Sequence, residues 1–485
     1  MKNEKGAALV RVLTFLIVLL LILSSFGETQ QVTYHRVAPK IFVPFDPNTV
    51  KVLYQSDNLF TIEVPMRGIG YAFSPKIAPF GDIIAFIPGV STFAFTSVFL
   101  EPVRVLRIPQ DVVSAPAEAK GFSEGGYDNF SFDQQMRLIA FSCDVEVSNP
   151  KQAAEREIFI VNSDGTGLRR LTRPLRIDEE RGDIARAPAI SEDGSFVVYH
   201  RRGAGYLGIV KTDGSGLRIL VHQTDGLTPV VLTRRAVFYK RGGQVWRASL
   251  DGKNQKQLTH EQGEIINPFS GLTADREGTK IAYIVKESGK PNVLKIVDGS
   301  TGASLLMLQN VEELVRLSGD GRRLLFSRRV SDKLRLYVMD LFTKKIFEVS
   351  EGIRVDKKAD FNETGEIVVM IKEEGTPLAL AFLPDETPPF LTVEAPKEGA
   401  TISGESVNVV VKYHDRAVVS GVDPESLRVF INGVDVSSQF EKGVDQAMGR
   451  LDRQVLRKGK NVLEVEVADR AGNKTKRKCV FSVEL

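Results

Sequence analysis

"NSDGTGLRRLT", residues 162–172, reads as the end of one strand, a tight turn and the start of another. Nearly the same phrase returns as "KTDGSGLRIL" at 211–220 and, more loosely, as "SLDGKNQKQLT" at 249–259. A turn that recurs with its residues intact marks one structural unit copied several times, so the repeat decides the fold. Asp-Gly is favoured where a two-residue hairpin needs positive φ. The phrase is expected to close a hairpin between the third and outermost strands of a unit, with "LRRLT" as the outer strand.

The full unit is longer. An apolar stretch ending in Ser is followed by an Asp-Gly-like turn, an aliphatic and aromatic strand, a variable loop, a further strand, and then the quoted phrase. "APAISEDGSFVVYH" (187–200) leads into "YLGIVKTDGSGLRIL" (206–220), and "VRLSGDGRRLLFSRR" (315–329) into "LRLYVMDLFTKKIFEVS" (334–350). Further copies begin near 130, 230, 271 and 359, and a cousin at 71–108 makes seven. The spacing of about 40–50 residues is that of four-stranded propeller blades, not of helical repeats. Val, Ile, Phe and Tyr dominate the short runs, and Gly, Asp and Asn separate them, as strands require. The expected fold is all-β: a propeller of six to eight blades, seven preferred.

The repeats resemble those of the TolB family of beta-propellers, with the pattern S-x-D-G, an I-A-F-like strand, I-Y-V-M, D-G and L-T, over roughly 70–385 and most clearly at 187–220 and 315–350. The resemblance implies an exported propeller acting with envelope partners. The separate alpha/beta domain that TolB proteins place before the propeller has no counterpart visible in 28–70. After the Pro-rich "LPDETPPF" (383–390) the pattern changes to alternating strands with hairpin signals, which suits a beta sandwich. There "SGVDPESLRVFING" (420–433) and "DRAGN" (469–473) resemble bacterial immunoglobulin-like domains of exported proteins, which usually act as spacers or adhesion modules. The expected organisation is a signal peptide or membrane anchor at 1–27, an N-terminal extension at 28–70 whose strands can close the ring, a propeller at 71–385 and an immunoglobulin-like sandwich at 386–485.

The leader reading rests on Lys2, Lys5 and Arg11 before an apolar run at 12–23, with Ser25 and Gly27 offering a small-x-small cleavage site. The run is shorter than a spanning helix needs, although 7–26 reaches that length if Arg11 is tolerated, so inner-membrane anchoring stays open beside cleavage. Both readings export the rest of the chain, to the periplasm or beyond. The net charge of +3 over 485 residues and the lack of a basic run interleaved with aromatics disfavour nucleic acid as a partner. The two cysteines, Cys143 and Cys479, lie so far apart that buried free thiols are expected in place of a disulfide.

In such blades the loop after the second strand lies on the face opposite the Asp-Gly turns. Arg201, Arg202, Lys240, Arg241, Lys286, Arg328, Arg329 and Lys372 all fall at that point in five consecutive units. A ring of cations there would hold a carboxylate or polyanion by charge-assisted hydrogen bonds. Solvated loop residues that discourage edge aggregation are the plainer alternative. The insertions at 143–156 and 173–186 open onto the same face, and the second carries Arg176 and Glu179 among further mixed charges.

An enzyme is not expected. The chain has no G-x-S-x-G elbow and no alpha/beta half after the propeller, and its five histidines show no ligand spacing. His200 is the one histidine in the channel-mouth set. Asp415, Asp423 and Asp469 could converge on a calcium, but no D-x-D-x-D-G series is present and no cofactor is expected. Trp246 reads as packing between blades. These readings give a non-catalytic binding or scaffold protein of the envelope, recognising a protein or anionic partner on the loop face. A lyase or hydrolase of acidic polysaccharide, or a surface adhesion protein, are the alternatives.

Overall fold

A strand buried on both faces shows no apolar–polar alternation, and "FVVYH" at 196–200 is of that kind. In this strand, Val197 and Tyr199 pack into a cluster with Ala140, Ile158 and Ile160 of the repeat before, while Val198 packs with Val237, Tyr239 and Ala248 of the repeat after. Each blade is thus a slab inserted between two others. The computed structural model describes residues 35–66, 73–79, 83–89, 92–97, 104–107, 130–145, 155–173, 185–201, 205–225, 230–266, 272–312, 315–350, 355–372, 378–415 and 420–484. The leader at 1–27, Arg202, Arg176 and Glu179 lie outside the described residues. Among the described residues, no helix is long and apolar enough to cross a membrane.

Within these residues seven antiparallel sheets follow one another. They begin at Phe73–Ile77, Phe130–Phe132, Ala185–Ile190, Val231–Leu232, Glu264–Ile265, Val315–Leu317 and Val355–Phe361, and we number them blades 1 to 7. Apolar clusters join each to the next from blade 1 through blade 7. Blade 7 meets blade 1 through hydrogen bonds from Ile77 N to Asp360 Oδ2 (3.3 Å) and from Glu363 N to Pro79 O (2.8 Å). The outer strands of blade 7 come from the start of the described chain: Leu59–Glu63 pairs with Leu378–Phe382, and Lys51–Ser56 lies outside it. The protein is an all-β propeller followed by a β-sandwich.

The recurrent turn is one residue longer than the sequence suggests. Asn162 N donates to Thr166 O (2.9 Å) and Gly165 N to Asn162 O (2.8 Å), a three-residue loop that Lys211 with Ser215 and Ser249 with Lys253 repeat. Only the glycine takes positive φ, 92° at Gly165, 89° at Gly214 and 84° at Gly252. The aspartate instead accepts the backbone N–H two residues on, at 2.9 Å for Thr166, 2.8 Å for Ser215 and 2.9 Å for Lys253.

Packing adds a second demand on the glycine. A Cβ on Gly252 would collide with the Leu220 carbonyl of blade 3, and one on Gly302 with the Leu258 carbonyl of blade 4. The turn is also clasped from the preceding blade by the first cation of the outer strand. Arg169 Nε donates to Thr212 O (2.7 Å), Arg218 to the carbonyls of Leu250 and Asp251 (3.4 Å each), and Lys256 Nζ to Ser300 O (2.9 Å). The "DG…R" phrase therefore carries both halves of a blade-to-blade latch.

The sandwich sets Phe390–Ala395, Ser406–His414, Gln446–Asp452 and Phe440–Lys442 against a sheet built on Lys474–Glu484, Gly459–Asp469 and Val422–Ile431. Here the period of two is clean. Val407, Val409, Val411 and Tyr413 enter the core while Asn408, Lys412 and His414 stay exposed. Both cysteines are buried and neither forms a disulfide, Cys143 lying between blades 1 and 2 and Cys479 in the sandwich core.

The two demands on the turn glycine separate by mutation. Gly214→Ala meets nothing within 4 Å and should lose only about 1 kcal/mol for its positive φ. Gly252→Ala should lose a further ~1–3 kcal/mol from overpacking against Leu220. Urea unfolding midpoints of the two variants read the difference.

Candidate functional site

Successive side chains of a strand point to opposite faces, so neighbouring residues at the end of a second strand cannot join one row. Arg201 turns to blade 2, where its guanidinium pairs with Glu157 at 3.0 and 3.3 Å and donates to the Arg173 carbonyl. Both partners are essentially inaccessible, at 1% and 0%. Burial raises the Glu157 carboxyl above its ordinary range, with Arg201 and the Thr172 hydroxyl opposing the shift. Lys240 is likewise buried and donates to the Ile265 carbonyl of blade 5 at 2.8 Å, with burial depressing its ammonium below the usual value. These two cations of the expected ring are spent inside the ring wall.

The others fare differently. Arg241 lies over Tyr239 and Trp246 and donates to the carbonyls of His222 and Gln223 and to Gln255. Lys286 is exposed, and Arg329 is exposed with Glu312 at 3.5 Å. Arg328 sits with its guanidinium 5.0 Å from the Phe326 ring and 5.9 Å from that of Tyr337, the two rings themselves being stacked. Its Nε is buried and donates no hydrogen bond. Arg328, Arg329, Asn292, Gln309, Asn310 and Glu312 edge a depression of about 630 Å³ between blades 5 and 6. Lys372 stands in backbone register with Val355 at the matching point of blade 7. The structure thus keeps Arg241, Lys286, Arg328 and Arg329 at the surface across blades 4 to 6, where the sequence suggested cations over five consecutive units.

His200 is 1% exposed and faces Thr224, its Nδ1 3.5 Å from the hydroxyl. Burial lowers its pKa to about 4 against an opposing pull from Asp225, so the ring is neutral near pH 7. Trp246, in the third strand of blade 4, is partly buried against the cluster between blades 3 and 4.

At the opposite end of the channel the first strands enclose a cavity of about 400 Å³, reaching from Lys76 on blade 1 round to Asp360 on blade 7. Arg276 crosses its mouth. Its guanidinium meets Glu192 of blade 3 at 2.7 Å and Glu363 of blade 7 at 2.6 Å, and Arg234 meets the same Glu192 at 2.5 Å. Backbone hydrogen bonds run round the same turns, from Gln134 to Glu192, Arg234 to Arg276, Arg276 to Gly319, Asp320 to Glu363 and Glu363 to Pro79. A Cβ on Gly319 would collide with the Glu363 carboxylate, so glycine there keeps that ion pair open. Sequence reading missed this network, although a signal existed. Aligned on the first Asp-Gly-like turn, one column of the repeat reads Gln134, Glu192, Arg234, Arg276, Gly319, Glu363.

Of the three acids considered for calcium, Asp415 and Asp469 do converge, but with Asp385 as the third. Asp423 accepts from Glu425 N (3.1 Å) elsewhere. Burial and the neighbouring Asp385 raise the Asp469 carboxyl to about 6.

Two substitutions separate wall from surface. Arg201→Ala, which strands Glu157 in the interior, should cost about 3–5 kcal/mol, whereas Arg329→Ala should stay within about 0.5 kcal/mol; chemical denaturation reads both. His200 binds its proton later in the folded chain than in the unfolded one, so its contribution is whole at neutral pH and falls away as pH drops from 6.5 toward 4. His200→Gln should remove about 2 kcal/mol of the stability lost between about pH 7 and about pH 5, measured as unfolding free energy against pH.

No protein-family model and no curated protein matches the sequence. Among solved structures, the chain is similar to an oligogalacturonate lyase from Vibrio parahaemolyticus, with 12% identity, 69% of this chain and 97% of that one covered, and a TM-score of 0.46. It is also similar to the beta-propeller domain of Myceliophteria thermophila Cps50 (Swd1), with 11% identity, coverage of 65% and 97%, and a TM-score of 0.45. Hydrazine synthase of Kuenenia stuttgartiensis gives 10% identity, coverage of 66% and 97%, and a TM-score of 0.45. These likenesses carry no statement about activity, and the propeller is read from the sheet order itself.

Proposed function

We propose that this chain is an exported, non-catalytic recognition protein of the cell envelope. Its propeller offers Arg241, Lys286, Arg328 and Arg329 to an acidic surface of a protein partner, and its immunoglobulin-like sandwich serves as spacer or second contact. The observation that carries the reading is Arg328. A guanidinium laid over aromatic rings is already oriented, and its free edge suits a carboxylate in a two-point hydrogen bond. The polar depression beside it has room for a side chain, and Arg329 and Lys286 add charge that draws an anionic partner in. The basic leader with its apolar run supports export, and the TolB-like repeats support an envelope setting.

The test is cross-linking and capture from envelope fractions with the full chain, beside a variant carrying Lys286→Ala, Arg328→Ala and Arg329→Ala, at low and moderate salt. Arg201 and Lys240 stay intact, because their loss would report on folding. The expected result is a protein partner held at low salt, weakened by moderate salt and bound about tenfold or more weakly by the variant. Equal capture by both proteins at both salts would remove this face from consideration.

A further inference from the structure

The junction between blade 7 and the sandwich gathers acids from parts of the chain far apart in sequence. Glu366 lies in the turn before the second strand of the blade (Ile367–Lys372), and Asp385 in the connector after its third strand (Leu378–Phe382). Asp415 follows Ser406–His414 of the sandwich, and Asp469 ends Gly459–Asp469. One carboxylate oxygen from each of the three aspartates lies within 4.8 Å of the others. Asp385 and Asp469 are 1% and 2% exposed.

The donors around them are mostly neutral. Asp385 accepts from Thr387 N (2.9 Å) and the Ser420 hydroxyl, and Asp469 from the backbone and side-chain amides of Asn473 (2.8 and 2.9 Å). The fully buried Arg323 stands 3.9 Å from Glu366 Oε1, its two terminal nitrogens donate to the carbonyls of Gly365 and Pro384, and its Nε has no hydrogen-bond partner. Of the three aspartates, Asp385 and Asp469 are the buried ones, and a bare buried carboxylate costs several kcal/mol.

A second observation, independent of the cluster's spacing, points to a missing positive partner. Glu366 is 0% exposed, and although its Oε1 accepts from the Thr387 hydroxyl (2.7 Å), its Oε2 has no hydrogen-bond donor. Its carboxylate lies within electrostatic reach of Asp385 and Asp415. A buried acceptor left without a donor beside three converging carboxylates has the chemistry of a cation's surroundings.

We infer that Asp385, Asp415 and Asp469, backed by Glu366, hold a divalent cation of the calcium type that fastens the sandwich to the last blade. All the donors are oxygens, which selects a hard ion over zinc. Calcium–oxygen distances of about 2.3–2.6 Å let ligands on one ion stand up to about 5 Å apart, which accommodates the spacing here. The ligands come from both sides of the junction, so binding couples the two parts.

The full chain, stripped with chelator, is titrated with calcium chloride by calorimetry and melted with and without calcium. One site per chain is expected, with a dissociation constant of about 0.1–1 mM or tighter, as in extracellular modules. The melting temperature should rise by about 3 °C or more near a hundredfold excess over that constant. Asp385→Asn and Asp469→Asn should abolish the heat and the shift. Asp415→Asn, at a partly exposed position, serves if those variants do not fold, and should weaken binding at least about tenfold. No heat and no shift up to about 10 mM calcium, or equal shifts in parent and variants, would overturn the site.

Discussion

The structure depends on how one blade grips the next. Each blade's third-to-outer turn lies under the outer strand of the blade before it, and the approach is so close that only glycine fits where Gly252 and Gly302 stand. In blades 2, 3 and 4 the cation that opens the outer strand then reaches the carbonyls of the following turn, as Arg169 does to Thr212. Single contacts of this kind contribute little, about 0.5–1.5 kcal/mol each, but they recur with the repeat and fix the same stagger each time. That stagger sets which side chains of every second strand look forward and which look back.

From that alternation follows the fate of the charges. Arg201 and Lys240 sit at neighbouring strand ends in consecutive blades, yet one points back to Glu157 and the other forward to the Ile265 carbonyl. Both are walled in. The charges that remain accessible cluster over blades 4 to 6, where Arg241 and Arg328 rest on aromatic rings. At the other end of the channel, Arg276 ties blade 3 to blade 7 across the opening, so the axis itself is braced.

The repeat was plain in the sequence because its strands are apolar on both faces and its turns keep Asp-Gly. Turn length was misread, since the letters alone do not tell which residue takes the positive φ; the structure gives it to Gly165 and leaves Asp164 to cap Thr166. Arg201 and Lys240 left the expected cation ring for a different reason. Position in the repeat fixed which corner Arg201 and Arg241 occupy, but not which neighbour each side chain meets, and that is set by packing between blades. Asp385 escaped notice because it belongs to a connector, far along the chain from Asp415 and Asp469, with no motif to tie them.

The closure of blade 7 by Leu59–Glu63 has a consequence for how the chain is made. That strand emerges some 300 residues before its partner, Leu378–Phe382, and until then its edge offers unpaired amides and carbonyls to any extended segment nearby. Ring completion is thus the most non-local strand pairing among the described residues, and pairing of that kind is intrinsically slow. Until the last blade is made, that edge is where a growing chain lies most open to wrong pairing.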